Sequence, residues 1–158
     1  MSETLSIISQ DNRSAITHTS AVGTHGEMLA AEFIKLAGFQ IVMSNFKAPI
    51  GRNTRGAAVT GEIDLIALEG DLLCFIEVKT RESADFAGPL ANVNLRKQRQ
   101  ITRTAHVYKR LFGLTQMEHR FDAVSVLMEK GLPPQIELFR SFWTEAKFKK
   151  RSWSNDVF

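Results

Sequence analysis

The sequence predicts a protein of the α/β class, with helices packed on one mixed β-sheet. Two segments carry apolar residues at helical spacing, and five short segments have the composition of strands bounded by turns. Their order, helix, three strands, helix and two strands, is typical of an α/β or α+β layer around a single core. The chain has 158 residues, of which 44% are hydrophobic and 23% charged, as is ordinary for one globular domain.

The first predicted helix runs from Thr24 to Ala37. Its apolar residues recur at the i, i+4, i+7 spacing and are Leu29, Phe33 and Leu36. Gly38 follows at the position where a helix C-terminus favours glycine. This segment is therefore expected to lay one apolar face on the sheet.

The central predicted feature is a β-hairpin. A strand is expected near residues 39–46, followed by a long mobile loop over residues 47–60, which contain a proline and two glycines. Two further strands are predicted from Glu62 to Glu69 and from Leu72 to Thr80. The dipeptide Gly70-Asp71 between them suits a two-residue hairpin turn.

The second half of the chain predicts a long helix and two strands. The helix is expected over about residues 94–112, ended by Gly113. Its apolar stripe consists of Ile101, Ala105, Tyr108 and Phe112. The strands are expected over residues 120–128 and 135–142, joined by the turn at Pro133-Pro134.

The predicted domain covers residues 21–143. It is preceded by a polar, aperiodic tail over residues 1–20 and followed by a basic tail over residues 144–158. The N-terminus lacks the basic region of a signal peptide, and the apolar run from Leu72 to Ile76 is too short to span a bilayer. The single Cys74 rules out an intramolecular disulfide. These features predict a cytoplasmic protein without a membrane partner.

Basic residues are concentrated in segments without acids. Four lie between Glu32 and Glu62, and six lie between Asp85 and Glu118, although the net charge is only +3. Several acids instead fall between Glu62 and Glu82. A basic surface around an acidic centre suits a polyanion that approaches metal-bound carboxylates. The alternative is a set of solvated helix faces.

The chemistry is expected on the hairpin. Because side chains alternate along a strand, one face should hold six apolar residues, Ile63, Leu65, Ala67, Cys74, Ile76 and Val78. The opposite face should hold Glu62 and Asp64 on one strand, and Glu77 and Lys79 on the other. The other residues on that face are apolar, so the charged set is not simply part of a solvated surface.

Strand register makes this expectation specific. With Gly70-Asp71 as the turn, Asp64 should lie opposite Glu77, and Glu62 opposite Lys79. Directly opposed like charges destabilise a sheet, but a divalent cation between them would convert repulsion into coordination. Hydrolysis of a phosphodiester would use such a cation, with Lys79 orienting water or stabilising the transition state. The alternatives are acids on a solvated face and a simple salt bridge between Lys79 and Glu62.

These residues resemble the PD-(D/E)xK, or restriction-endonuclease-like, superfamily of nucleases. Asp64 matches its first acid, and the segment from Glu77 to Lys79 matches its E-x-K element. The hairpin strands, together with Gly26-Glu27 and residues 120–122, more narrowly resemble the YraN family of small bacterial proteins. The resemblance implies a three-layer fold, a central mixed sheet flanked by helices.

The resemblance also implies further site residues. The family is also similar to archaeal Holliday-junction resolvases, in which a glutamate on the first helix joins the metal site. Glu27 matches this position. Glu27, Asp64 and Glu77 would then bind Mg²⁺ or Mn²⁺, and a homodimer is implied. The alternative for Glu27 is that it only complements the helix dipole. The expected substrate-binding residues are Arg81, Lys97, Gln98 and Arg120, although either Arg81 or Arg120 could instead brace the fold.

Three functions remain open from the sequence. The first is a metal-dependent endonuclease acting on nucleic acid, with DNA, branched DNA included, as the expected substrate. The second is a nucleic-acid-binding protein of the same fold without turnover, which the basic segments support equally well. The third is an interaction protein whose carboxylates make only salt bridges.

Overall fold

The computed structural model describes residues 21–84 and 88–149. Residues 21–36 form helix α1. It is followed by β1 (Gln40–Arg52), β2 (Ala58–Glu69), β3 (Leu72–Arg81), α2 (Leu95–Leu111), β4 (His119–Leu127), β5 (Gln135–Trp143) and a 3₁₀ helix (Glu145–Phe148). The predicted order of elements is confirmed. The predicted tail over residues 1–20 lies outside the described residues, as do residues 150–158 of the C-terminal one.

The described strands form one mixed sheet in the order β1-β2-β3-β4-β5. Neighbouring strands are antiparallel except for β3 and β4, which are parallel and are connected through α2. The α/β class and the mixed sheet are therefore as predicted. Within the described part of the chain, neither helix combines the length and apolar character that crossing a bilayer requires.

The two helices cover opposite faces of the sheet. Ala30 and Ile34 of α1 pack in one buried cluster, and Ile101, Ala105 and Tyr108 of α2 pack in the other. On β3 the side chains alternate between these clusters: Cys74, Ile76 and Val78 meet α1, while Leu73 and Phe75 meet α2. The result is a helix-sheet-helix arrangement of three layers, consistent with a restriction-endonuclease-like fold.

The predicted helices are close to the observed ones, with two corrections. Helix α1 already includes residue 21, where the described chain starts, and its buried face centres on Ala30 and Ile34, so that Leu36 is 90% exposed. Helix α2 begins after Asn94, whose side chain accepts a hydrogen bond from the Lys97 amide and caps the helix. Phe112, predicted to be in the apolar stripe, is instead the half-exposed residue at the end of this helix.

The prediction of a long mobile loop over residues 47–60 is wrong. Strand β1 continues to Arg52 and pairs with a β2 that starts at Ala58, with irregular register between Pro49 and Gly51. Proline is tolerated there because β1 is an edge strand. The short connection is held by Asn53, whose side chain accepts hydrogen bonds from the amides of residues 55 and 57.

The hairpin turn and its register are confirmed up to a defined point. Gly70 has a φ of 61°, and Glu69 pairs with Leu72 as predicted. The described pairing of β2 with β3 ends at Leu65 and Ile76. Beyond that point Ile63 packs in the α2 cluster rather than with Leu65 in the α1 cluster, contrary to simple alternation.

Candidate active site

Asp64 and Glu77 lie where β2 and β3 stop pairing. Both are buried, with 9% and 4% of their surface exposed. The ladder does not continue to pair these two residues as the sequence predicted. Instead, Asp64 Oδ2 accepts a hydrogen bond of 2.7 Å from the main-chain amide of Val78. The carboxylate thus takes the place of a strand carbonyl and reaches across to the residue next to Glu77.

The two carboxyl groups form an electrostatically strained pair. Burial and the charge of Asp64 raise the pKa of Glu77 to about 8, and burial also raises the pKa of Asp64. Oxygen Oε2 of Glu77 is buried and has no hydrogen-bond partner. Buried carboxylate oxygens are normally paired, so this oxygen marks a position for a cation or a proton.

Lys97 approaches the pair from the first turn of α2, where Gln98 follows it in the chain. The ammonium nitrogen of Lys97 is 3.4 Å from Glu77 Oε1, and its charge lowers the pKa of both acids. Gln98 is buried and donates a hydrogen bond of 2.8 Å from Nε2 to the Val93 carbonyl, while its Oε1 has no partner. Lys97 is therefore brought to the carboxylates, and Gln98 is anchored at the start of the same helix.

Glu27 approaches from the other helix layer. Burial and the charge of Asp64 raise its pKa, which a hydrogen bond from the Asn45 side chain partly offsets. Since the chain is already helical at residue 21, Glu27 lies beyond the first turn. The alternative role of complementing the helix dipole is therefore wrong, because that effect fades within the first turn.

Two glycines set the distances between the layers. A Cβ on Gly26 would clash with the Thr80 side chain, so glycine allows α1 to approach β3 beside Glu27. A Cβ on Gly61 would likewise clash with the Thr104 hydroxyl of α2. Both helices can thus come close to the strands that carry the acids.

Lys79 lines a cavity of about 280 Å³ together with Glu27, Val78 and Thr80. Its charge contributes to lowering the pKa of Glu77. The predicted alternative of a salt bridge between Lys79 and Glu62 is not what the structure shows. Glu62 instead lies 3.7 Å from Lys47 on β1. Lys79 is consequently available to a molecule in the cavity.

Arg81 and Arg120 are not brought to the carboxylates. Arg81 lines a separate cavity with Ser125 and Glu137, and its Nε is buried without a partner. Arg120 is in register with Cys74, three positions, or about 10 Å, from the residue opposite Glu77. For Arg120, the alternative of bracing the fold is the one that the structure favours.

A second acidic cluster surrounds Arg120. Ligand atoms of Glu69, Cys74 and Asp122 lie within 4.8 Å of one another. Arg120 donates two hydrogen bonds of 2.7 Å to fully buried Asp122 and one of 2.6 Å to Glu69. Arg140 also contacts Glu69 at 3.0 Å. These carboxylates are neutralised by guanidinium groups, so the cluster is a structural brace and a poor cation site.

Asn45 is a site residue that the sequence analysis missed. It lies on β1 between Ser44 and Phe46, which pair with the two neighbours of Asp64, and it has a φ of 53°. Asparagine is enriched in this left-handed region and depleted in strands. An asparagine inside a strand pattern is therefore the signal that would have drawn attention to it.

The chemistry of the residues present fits a divalent cation, although the ligand atoms of Glu27, Asp64 and Glu77 do not all lie within 4.8 Å of one another in this structure. Glu27, Asp64 and Glu77 come from three elements, share raised pKa values, and include one oxygen without a partner. Carboxylate oxygens are the ligands that Mg²⁺ and Mn²⁺ prefer. Val78, whose main-chain carbonyl offers a further oxygen, borders the cavity that Glu27 and Lys79 line.

Comparisons with known proteins identify the family. A model of the uncharacterised protein family UPF0102 matches residues 26–126, which include every predicted site residue. A UPF0102 protein of Rhodococcus jostii is 39% identical over 125 residues, covering 79% of this chain and 98% of that protein. One from Acetivibrio thermocellus is 40% identical over 110 residues, covering 70% of this chain and 78% of that protein. The resemblance to the YraN family is confirmed, and the chain belongs to the UPF0102 family.

Proposed function

We propose that this protein is a metal-dependent endonuclease that hydrolyses phosphodiester bonds in DNA. The observation that carries the proposal is the buried pair of Asp64 and Glu77, whose repulsion and unpartnered oxygen call for a cation. A cavity near the pair is lined by Glu27, Val78 and Lys79, whereas Asp64 and Glu77 themselves are not among its lining residues. Acids, a lysine and an open cavity together provide what phosphodiester hydrolysis needs.

Glu27, Asp64 and Glu77 would hold the cation. When bound, Mg²⁺ or Mn²⁺ supplies charge neutralisation on the phosphate and a more acidic water molecule. Lys79 is placed to hold the attacking water through its ammonium hydrogens or to donate them to the phosphoryl oxygens. Lys97, at 3.4 Å from Glu77, lowers the pKa of both acids and is placed to bind a phosphate beside them.

The proposed substrate is branched DNA, by analogy with the junction-cutting enzymes that the hairpin resembles. A four-way junction has two-fold symmetry, so cutting it at two points requires two copies of the active site. We therefore include a homodimer in the proposal, formed at least on the substrate.

A cleavage panel tests this function. Labelled duplex, single-stranded, flap and four-way-junction DNA, together with RNA, should be incubated with Mn²⁺ or with excess chelator. Cleavage is expected in the reactions with Mn²⁺ and not in those with excess chelator. It should be abolished in the Asp64→Asn, Glu77→Gln and Lys79→Ala variants. Circular dichroism of each variant controls for folding. Cutting that persists in chelator or in the triple variant contradicts the proposal.

The second candidate is nucleic-acid binding without turnover. It is favoured by Arg96, Arg99 and Arg103, which are exposed on α2 and form no ion pair among the described residues. It predicts salt-dependent binding with no cutting of any substrate in the panel. Nucleic-acid binding without turnover does not account for the burial of Asp64 beside Glu77, and for that reason we rank this function second.

A further inference from the structure

A groove lined by four arginines lies between α2 and the β1–β2 connection. Arg52 comes from the end of β1, and Arg96, Arg99 and Arg103 come from α2. The groove has a volume of about 290 Å³, and among the described residues its other polar side chains are Asn53 and Gln100. We call this set the arginine groove. It joins two basic segments that are more than forty residues apart in the sequence.

The arginines of α2 form a line that starts beside the candidate active site. Residues 96, 99 and 103 follow the i, i+3, i+7 spacing of one helix face. With a rise of about 1.5 Å per residue, they span about 10 Å along the helix axis, enough to reach more than one phosphate of a strand. Lys97, which follows Arg96, contacts Glu77. The line of arginines therefore begins next to the residue that contacts Glu77 and continues along α2 away from the carboxylates.

These arginines lack carboxylate partners. Among the described residues, none of the four forms an ion pair, whereas Arg120 and Arg140 are both bound to acids. Arg52 is fixed by a hydrogen bond of 2.7 Å from its Nη1 to the Gly56 carbonyl. Arg99 lies over the Phe148 ring at 5.5 Å from its centroid. Four permanent positive charges are thus gathered in one place with nothing in the described chain to neutralise them.

We propose that the arginine groove binds consecutive phosphates of a nucleic-acid backbone. A guanidinium group matches a phosphate with two parallel hydrogen bonds, and a row of them matches a chain of phosphates. The groove is recessed between a helix and a hairpin, so a single strand can enter it, whereas a flat bilayer surface cannot reach its floor. This inference rests on the proposed nuclease function, for which the groove would fix the strand relative to Glu77.

The test measures binding with cleavage switched off. Fluorescence anisotropy with labelled single-stranded DNA, duplex DNA, four-way-junction DNA and RNA should be recorded in chelator, using the Asp64→Asn protein. Adding Arg96→Gln, Arg99→Gln and Arg103→Gln should weaken binding by about tenfold or more and reduce the salt slope by about 2 to 3. Arg110→Gln, an exposed arginine near the other end of the same helix, is the matched control and should leave affinity within about twofold.

The outcomes separate this inference from the proposed function. Unchanged affinity in the triple arginine variant contradicts the proposed role of the arginine groove. The proposal also fails if the protein binds vesicles of phosphatidylglycerol more tightly than any nucleic acid and this binding depends on the arginines. Loss of binding in that variant supports the groove even if the wild-type protein with Mn²⁺ cuts nothing, in which case only the nuclease proposal fails. The triple arginine variant should also be made in a protein that keeps Asp64. Calorimetry should show that this protein still binds Mn²⁺, so that the carboxylate site is intact.

Discussion

The carboxylate of Asp64 accepts a hydrogen bond of 2.7 Å from the main-chain amide of Val78 on the neighbouring strand. This contact ties the first acid to the residue that separates Glu77 from Lys79. Asp64 therefore has a structural partner in addition to its place in the candidate metal site. The two roles can be separated, because the hydrogen bond needs an oxygen whereas the cation needs a charge.

Substitution of Asp64 should separate folding from cation binding. Asp64→Asn retains an oxygen acceptor for the Val78 amide, so its unfolding free energy should stay near that of the wild type. Asp64→Ala leaves a buried amide unsatisfied and should lose about 1–3 kcal/mol in urea unfolding. Both variants should lose the increase in Tm that Mn²⁺ gives the wild-type protein. A Mn²⁺-dependent increase that survives in Asp64→Asn would exclude Asp64 as a ligand.

The pKa of Glu77 predicts how stability depends on pH in chelator. The folded protein keeps a proton on Glu77 up to about pH 8, whereas an unfolded glutamate loses it near 4.5. The folded state therefore binds more protons between these values, so the unfolding free energy contributed by Glu77 falls as pH rises from about 4.5 to about 8. Glu77→Gln removes this loss, so the variant should gain stability relative to the wild type over the interval.

Urea unfolding at pH 5 and pH 8 measures this difference. Glu118→Gln, at an exposed position, is the control and should follow the wild type at both values. If the Glu77→Gln and wild-type midpoints change in parallel between the two pH values, the raised pKa of Glu77 is contradicted.

Arg120 and Arg140 should differ strongly in their contribution to stability although both contact Glu69. Arg120→Ala leaves the fully buried Asp122 without its bidentate partner and should cost about 3–5 kcal/mol in denaturant unfolding. Arg140 is 46% exposed, so Arg140→Ala should cost about 1 kcal/mol or less. Mn²⁺ binding should be unchanged in both. Equal losses in the two variants would show that burial of Asp122 is not the cause.

Replacing Gly26 with alanine should destabilise the protein, whereas the same change at Gly23 of this helix should not. Gly26→Ala would push α1 away from Thr80 and should cost about 1–3 kcal/mol while weakening Mn²⁺ binding through the displaced Glu27. Adding Thr80→Ala should restore part of both losses. Gly23 has open space at its Cβ, so Gly23→Ala should stabilise the protein by about 0.5–1 kcal/mol. Similar behaviour of the two alanine variants in thermal unfolding would argue against the contact.

The features that the sequence predicted correctly depend on residues that are close to one another in the chain. The turn at Gly70, the pairing of Glu69 with Leu72, and the placement of both acids near one another follow from alternation and turn geometry alone. Helix α2 was predicted to within a residue or so because Asn94 and Gly113 are clear end signals. The order of elements followed from the same local patterns.

Features that depend on distant contacts could not be predicted in this way. Proline and glycine between residues 47 and 60 suggested a loop, but pairing with β2 and an edge position allow a strand. The alternation rule failed at Ile63, which pairs with Phe46 next to Asn45 and its positive φ. The arginine groove brings together two segments whose proximity no local pattern encodes.

The antiparallel connection between β2 and β3 has a consequence for folding kinetics. Asp64 and Glu77 lie on the two strands of one hairpin with a two-residue turn, so they come together through the cheapest loop closure in the sheet. The parallel pairing of β3 with β4 must instead wait for the whole crossover through α2. The mutually repelling acids therefore come together early, before the rest of the sheet is in place. Refolding should accordingly be faster when protons or divalent cations are supplied from the start than when they are added afterwards.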